Sequence, residues 1–479
     1  MGIKKNFAYN TLLTLSSYII SLIVFPHVAR VLGVELLGKI DFANNFVNYF
    51  SLFSLLGVSA VGIREIAACK DDVEKRSEVF SSILSTIFVL TIIAILIYFC
   101  VVMFVPKLKV YQKLLFIGSI SLFFSSLLIE WLYQGVEQFR YISVRTISVR
   151  VVYAILVFIF VRNKNDYVVY YSLTVMATAI NAIINLSYSR YFVRFTFKLK
   201  SALIFIKEIA SIGVYKVLTS MYTSFNVIFL GLVATSTDVG YYTTSTKLFY
   251  ILLGVMTAFT GVMLPRMSAL LSDNNYDEFS RRITDSFDLV CVFSLPMICG
   301  TMVFTPELIN LLSGPGYDGA IVPMRLITPM IFITSIAQIC VIQVLMPLKC
   351  DKVILFASLI GACIGVISNF VLVPKYASVG TAVTLLLSEV ASDLICFLYC
   401  IKKKIIVGCF QRVFKYMLGS IPYIVICICY HHIVFNQTLS ISLSILTCFV
   451  YFILLNMFVI RDSKFYSLIR NIPFKFFHR

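Results

Sequence analysis

Four cations and a few acids stand inside stretches of this sequence that otherwise read as hydrocarbon. Lys216, Lys247 and Arg325 fall within apolar runs, and Arg30 closes "FPHVAR" at the end of another. A charge in hydrocarbon is costly, so such residues face a bundle interior or a wet cavity and mark a pathway. Lys247 shares a helical face with Thr243, Thr244 and Tyr250, at i−4, i−3 and i+3. A second run carries Asp41, Asn44, Asn45 and Asn48 at helical spacing. Two such polar stripes would line a cavity, or would satisfy one another between packed helices. Arg30 is a rigid fork suited to phosphate or carboxylate, with an interfacial anchor as the alternative. Lys216 and Arg325 lie closer to the ends of their spans, where snorkelling towards headgroups is the rival reading. Glu389 and Asp393 form an i,i+4 pair that would hold a coupling cation or proton, or would pair with neighbouring Lys and Arg. Glu130 stands beside the only tryptophan, Trp131.

None of this amounts to a catalytic constellation. There is no GxxxxGK[ST], no HExxH, and no acid pair on a long loop. The 13 cysteines are scattered through apolar runs without a CxxC…CxxC spacing, so they read as small apolar residues, not metal ligands. No metal, no cofactor and no enzymatic activity are expected.

The elements that must position these residues follow from composition. The chain is 60% hydrophobic and 13% charged over 479 residues, with a mean hydropathy of +0.94. A soluble domain carries about 25% charged residues. An all-α polytopic membrane protein is expected, with about fourteen spans near 10–32, 42–63, 79–105, 114–133, 142–161, 167–189, 209–233, 240–264, 284–312, 321–346, 353–373, 377–400, 416–435 and 440–460. "MGIKKNFAYN" reads as the start of a retained first helix, and Pro26 would kink that helix. Of the 40 Lys and Arg residues, 29 fall in loops on the side of the N-terminus and eight on the other. The positive-inside rule then places both termini in the cytoplasm. The net charge of +17 therefore encodes topology and not nucleic-acid binding.

The chain also repeats. Gly38 and Gly240 differ by 202 positions, as do Arg64 and Arg266, and each pair brackets a polar-to-apolar span leading to a charged loop. Residues 1–200 and 201–404 are expected to form two six-helix lobes in parallel repeat around a V-shaped central cavity. Residues 405–479 would add two helices and a basic cytoplasmic tail. Such repeats place the pathway between the halves. Asn45 is then the counterpart of Lys247, and Arg64, Arg266, Glu130, Glu389 and Asp393 become candidates for gating or ion coupling.

The opening "NTLLTLSSYIISLIVFPHVARVLGVELLGKIDFANNF" resembles that of the bacterial oligosaccharide flippases in the multidrug/oligosaccharidyl-lipid/polysaccharide exporter superfamily, through Pro26, Arg30, Leu32, Gly33 and Gly38. "GIREIA" at 62–67 is similar too, and Trp131, Gln134, Gly135 and Glu137 resemble a W-x-x-Q-G-x-E signature. On that resemblance Trp131 would sit in the membrane interface, Gly135 would allow a turn, and Glu130 and Glu137 would lie at the cytoplasmic mouth near Arg140 and Arg145. The resemblance implies translocation of an undecaprenyl-diphosphate-linked oligosaccharide across the bacterial inner membrane for O-antigen, capsule or related polysaccharide. Other polysaccharide-assembly proteins would be its partners, and an H+ or Na+ gradient would supply coupling. Arg30, Lys216, Lys247 and Arg325 would hold the diphosphate, with Asp41, Asn45, Asn48, Thr243 and Thr244 lining the cavity. A drug/cation antiporter of the same superfamily would need deep carboxylates to outweigh cations, and a polysaccharide polymerase would need a long outer loop.

Overall fold

The computed structural model describes residues 3–69, 72–196, 205–403, 405, 409–433 and 437–455, so the expected basic tail and the boundary near 200 lie outside it. Among the described residues there are helices and no strand. The chain runs through α1 (Ile3–Leu32), α2 (Val34–Leu55), α3 (Val58–Ala68), α4 (Val73–Phe104), α5 (Gln112–Ser126) and α6 (Glu130–Gly135). It continues as α7 (Phe139–Phe160), α8 (Tyr167–Ser189), α9 (Ile206–Ser220), α10 (Ser224–Val233), α11 (Ser236–Ser272) and α12 (Tyr276–Val303). The rest comprises α13 (Thr305–Ser313), α14 (Ile321–Ile327), α15 (Met330–Gln338), a π-helical stretch Ile339–Leu345, α16 (Asp351–Lys402), α17 (Cys409–Ile433) and α18 (Gln437–Leu454).

Nine described helices are long and apolar enough to cross a bilayer, and twelve spans result if each bent pair counts once. The bent pairs are α2 with α3 at 40°, α9 with α10 at 47°, and the stretch through α14 with the one through α15 at 41°. Helix α16 is 52 residues long, or about 78 Å at 1.5 Å per residue, more than twice a hydrocarbon core of about 30 Å. Its backbone breaks at Ala377 (φ 46°, ψ −120°), three residues after Pro374, so it makes two spans. With the shorter apolar α18, each of the fourteen expected windows contains helix among the described residues. Pro26 does not interrupt α1, which runs through it to Leu32.

The described residues pack as two compact units that interleave along the chain. One holds those within 1–254, 309–327 and 354–392; the other holds those within 255–308, 328–353 and 393–455. In the second unit α17 lies along α12, and α18 joins α17 through the Tyr423–Tyr451 edge contact at 4.9 Å and a Tyr430–Thr447 hydrogen bond of 2.9 Å.

The first unit corrects two expectations. Trp131 does not project towards headgroups or water; it is 5% exposed within a core with Val61, Ile66, Phe80 and Leu132. Gly62 explains this, because a Cβ there would collide with the indole. Nor does Gly135 make a turn. It ends α6 pressed against Ile66, and the left-handed residues are Ile129 (φ 40°) and Glu137 (φ 59°). The two motifs "GIREIA" and "EWLYQG" are therefore one contact: Gly62 receives Trp131, and Gly135 receives Ile66.

Candidate functional site

The 202-residue offset reappears as a contact. A Cβ on Gly38 would fall on the carbonyl of Ser236 and the amide of Gly240, and a Cβ on Gly240 would fall on the carbonyl of Val34. Ser236 is the counterpart of Val34, so the same approach is made twice, once from each side. Only glycine allows two helix backbones this close. The repeat thus meets itself across α2 and α11, with equivalent residues at one level.

One turn further along, Asp41 faces its own counterpart, Thr243, whose hydroxyl donates to Asp41 Oδ2 at 2.6 Å. Lys247 Nζ donates to both oxygens of the same carboxylate, at 2.8 and 2.7 Å. The repeat makes Asn45 the counterpart of Lys247, yet the ammonium reaches Asp41 instead. Helical side chains lean towards the N-terminus, so a long lysine touches the level one turn back. Asn45 donates to the backbone carbonyl of Asp41 at 2.8 Å. The Asp41 side chain is 11% exposed and that of Lys247 36%, with Phe25 under the ammonium at 5.1 Å. The mutual satisfaction that the sequence left as an alternative is what this conformation adopts: Lys247 is already paired.

Around this node, Thr244 is buried and Asn48 exposed. Arg30 is exposed and donates to the carbonyl of Leu311, its stem against Gly314, while Tyr317 donates to the carbonyl of Ala29 at 3.0 Å. The end of α1 is thereby tied to the turn after α13. Lys216 and Arg325 are exposed on α9 and α14 and are not drawn to the node. Glu389, half-buried, lies in the first unit, and Asp393 one turn on belongs to the second. Glu130 accepts from Arg145 at 2.6 Å, as expected.

Arg64 pairs with Glu65 at 2.8 Å and with Glu208 at 2.5 Å, while the amide of Gly57 donates to Ile209. Glu208 escaped the sequence reading because a glutamate opening a helix is ordinarily a solvated first-turn acid. Arg266 instead faces Glu278 at 3.6 Å. Arg145 is one of the 29 cations expected in loops, yet its side chain is 4% exposed. Its sequence signals are the resemblance that set it near Glu130 and its spacing of fifteen residues from that acid.

Comparison with known proteins bears on this site. The family described as polysaccharide biosynthesis protein matches residues 3–271, which include Gly38, Asp41, Thr243 and Lys247. The chain belongs to that family. Every motif that carried the resemblance lies within the match. Two relatives of this polysaccharide biosynthesis protein are named for O-antigen transport. One, from Escherichia coli strain K12, is 24% identical over 81% of this chain and 94% of its own length. The other, from Shigella dysenteriae, is 26% identical over 81% and 97%. Among solved structures, the lipid II flippase MurJ in an inward closed conformation superposes with a TM-score of 0.73 over 93% of this chain and 99% of that one, at 13% identity. An inward-facing multidrug transporter of the MATE family gives 0.57 over 85% and 98%, at 14% identity. At those identities the likeness is one of fold. The relatives are named as transporters and the structural neighbours as flippase and transporters, none as an enzyme.

Proposed function

We propose that the protein is a flippase for undecaprenyl-diphosphate-linked oligosaccharide repeat units, carrying them across the bacterial inner membrane by alternating access. The product would feed O-antigen, capsule or a related surface polysaccharide, beside other polysaccharide-assembly proteins, with both termini in the cytoplasm. Family membership and the names of the relatives support this reading. The observation that carries it is the node joining α2 to α11. A close glycine contact makes a seal that opens only if the helices separate, and the Asp41–Lys247 pair next to it can exchange partners.

In this reading residues 1–200 and 201–404 are the moving lobes. When α2 and α11 part, Lys247 is released from Asp41 and becomes available to the diphosphate, with Arg30 as the second cation. Lys216 and Arg325 would meet the substrate only in another conformation. Arg64, on α3 beyond the bend from α2, would form a latch with Glu208, and Arg266, with Glu278, would serve the equivalent end of α11. Glu389 and Asp393 are the candidates for H+ or Na+ coupling.

The test is surface glycan assembly in cells lacking the chromosomal copy. Lys247→Ala with Arg30→Ala should stop assembly at normal protein level. Undiminished glycan would sink the site assignment, and loss of drug resistance with glycan intact would favour the antiporter.

A further inference from the structure

A second group of membrane-embedded charges lies apart from the node, where α6, α7 and α1 meet. Arg145 Nη2 donates to Glu130 Oε1 and to Thr146 Oγ1, each at 2.6 Å, and its guanidinium lies 5.8 Å from the centre of the Tyr141 ring. Its Nε and Nη1 are buried without an acceptor among the described residues. Arg150 Nη1 reaches across to α1, donating to Ser17 Oγ at 2.5 Å and to the Leu13 carbonyl at 3.3 Å. Arg150 is half-buried and within electrostatic reach of both Arg145 and Glu130. Arg145 alone is paired with the carboxylate, and Arg150, five residues further along α7, has no carboxylate bonded to it among the described residues.

The neighbours offer no relief. The Tyr141 hydroxyl is engaged with Asn185 Oδ1 at 3.1 Å, Tyr133 with the Asn185 carbonyl, and Asn185 Nδ2 with the Leu128 carbonyl. Buried guanidinium N–H groups without acceptors are costly, and such orphans ordinarily mark a place for a water or an ion. The Glu130 side chain is 38% exposed, so the group opens to the exterior on the carboxylate's side.

We propose that Arg145 and Arg150 form a phosphate-binding site in which Glu130 stands in for the ligand in this conformation. A phosphate oxyanion fits for three reasons. In place of Glu130 it can accept from Nη2 together with Nε or with Nη1, the two forks of the guanidinium match its geometry, and its charge offsets that of the two arginines. A lipid phosphate headgroup and a free phosphate share this chemistry. The site is independent of Lys247, so it stands or falls separately from the transport reading.

The experiment is calorimetric titration of the purified full-length protein in detergent with two probes, inorganic pyrophosphate and dihexanoyl phosphatidic acid. Binding of one or both is expected. Glu130→Gln removes the competing charge and should tighten binding about tenfold, equivalent to ~1.4 kcal/mol. Arg150→Gln and Arg145→Gln should weaken or abolish it, Arg145→Lys should restore only part, and Lys113→Gln, at an exposed lysine on α5, should leave it unchanged. Trp131 emission, next to Glu130, reports whether α6 is still in place in each variant. Binding of pyrophosphate alone identifies a free anion, and binding of the lipid alone identifies a headgroup. The proposal is overturned if neither probe binds, if Glu130→Gln with native Trp131 emission binds no tighter, or if Lys113→Gln weakens binding as much as Arg145→Gln does.

Discussion

Lys247→Met tests the node through an asymmetry. Removing the ammonium leaves the Asp41 carboxylate, 11% exposed, with the Thr243 hydroxyl as its remaining side-chain donor. Removing the carboxylate by Asp41→Asn leaves a lysine that is already 36% exposed and long enough to reach water. Breaking a buried pair from one side costs ~3–5 kcal/mol, whereas an exposed pair is worth ~0.2–1 kcal/mol. This pair is intermediate, so about 2–3 kcal/mol is expected for Lys247→Met and about 1 kcal/mol for Asp41→Asn. The double variant carries no unpaired charge and should be more stable than Lys247→Met alone, with a coupling energy of about 1–2 kcal/mol. Reversible unfolding of the purified protein in mixed micelles, titrated with SDS, would measure all four corners of the cycle. Equal losses from the two single changes, or a coupling near zero, would refute the reasoning. Either result would mean that the carboxylate finds water or another donor as readily as Lys247.

Other positions give sharper contrasts. Gly38→Ala and Gly240→Ala each drive a methyl group into the opposing backbone and should abolish glycan assembly. Gly261→Ala and Gly300→Ala, with nothing within 4 Å, should be neutral or slightly stabilising on an immunoblot and in the same assay. Trp131 is the only tryptophan, so its fluorescence reads one place. Native emission should be blue-shifted and shielded from acrylamide, and Gly62→Ala should shift it to the red; a quenchable native signal would contradict the buried indole. Arg64→Gln should leave the unfolding midpoint unchanged, because its pairs are exposed, while changing the transport rate. A clear loss of stability would assign Arg64 a structural role.

Much of this protein follows from one-dimensional order alone. Apolar runs long enough to span a bilayer must be helices, since no other open structure satisfies the backbone in lipid. Each of the fourteen windows therefore contains helix among the described residues, and the weak-looking run at 42–63 proves to be a bent pair, α2 with α3. The 202-residue repeat was equally legible, because glycines and arginines recur at a fixed interval whatever the fold. Asp41, Thr243 and Lys247 could be named as polar residues on two stripes. Their partnership could not, because it depends on how far α2 and α11 approach and on which way a lysine leans. The same limit hid the packing of Trp131 against protein, since a composition rule for aromatic residues does not say that Gly62 has left a socket. It also hid Arg145 among the loop charges. Periodicity in sequence decides which residues share a face; only tertiary packing decides which face meets which, and so whether a charge is paired, solvated or left waiting for a ligand.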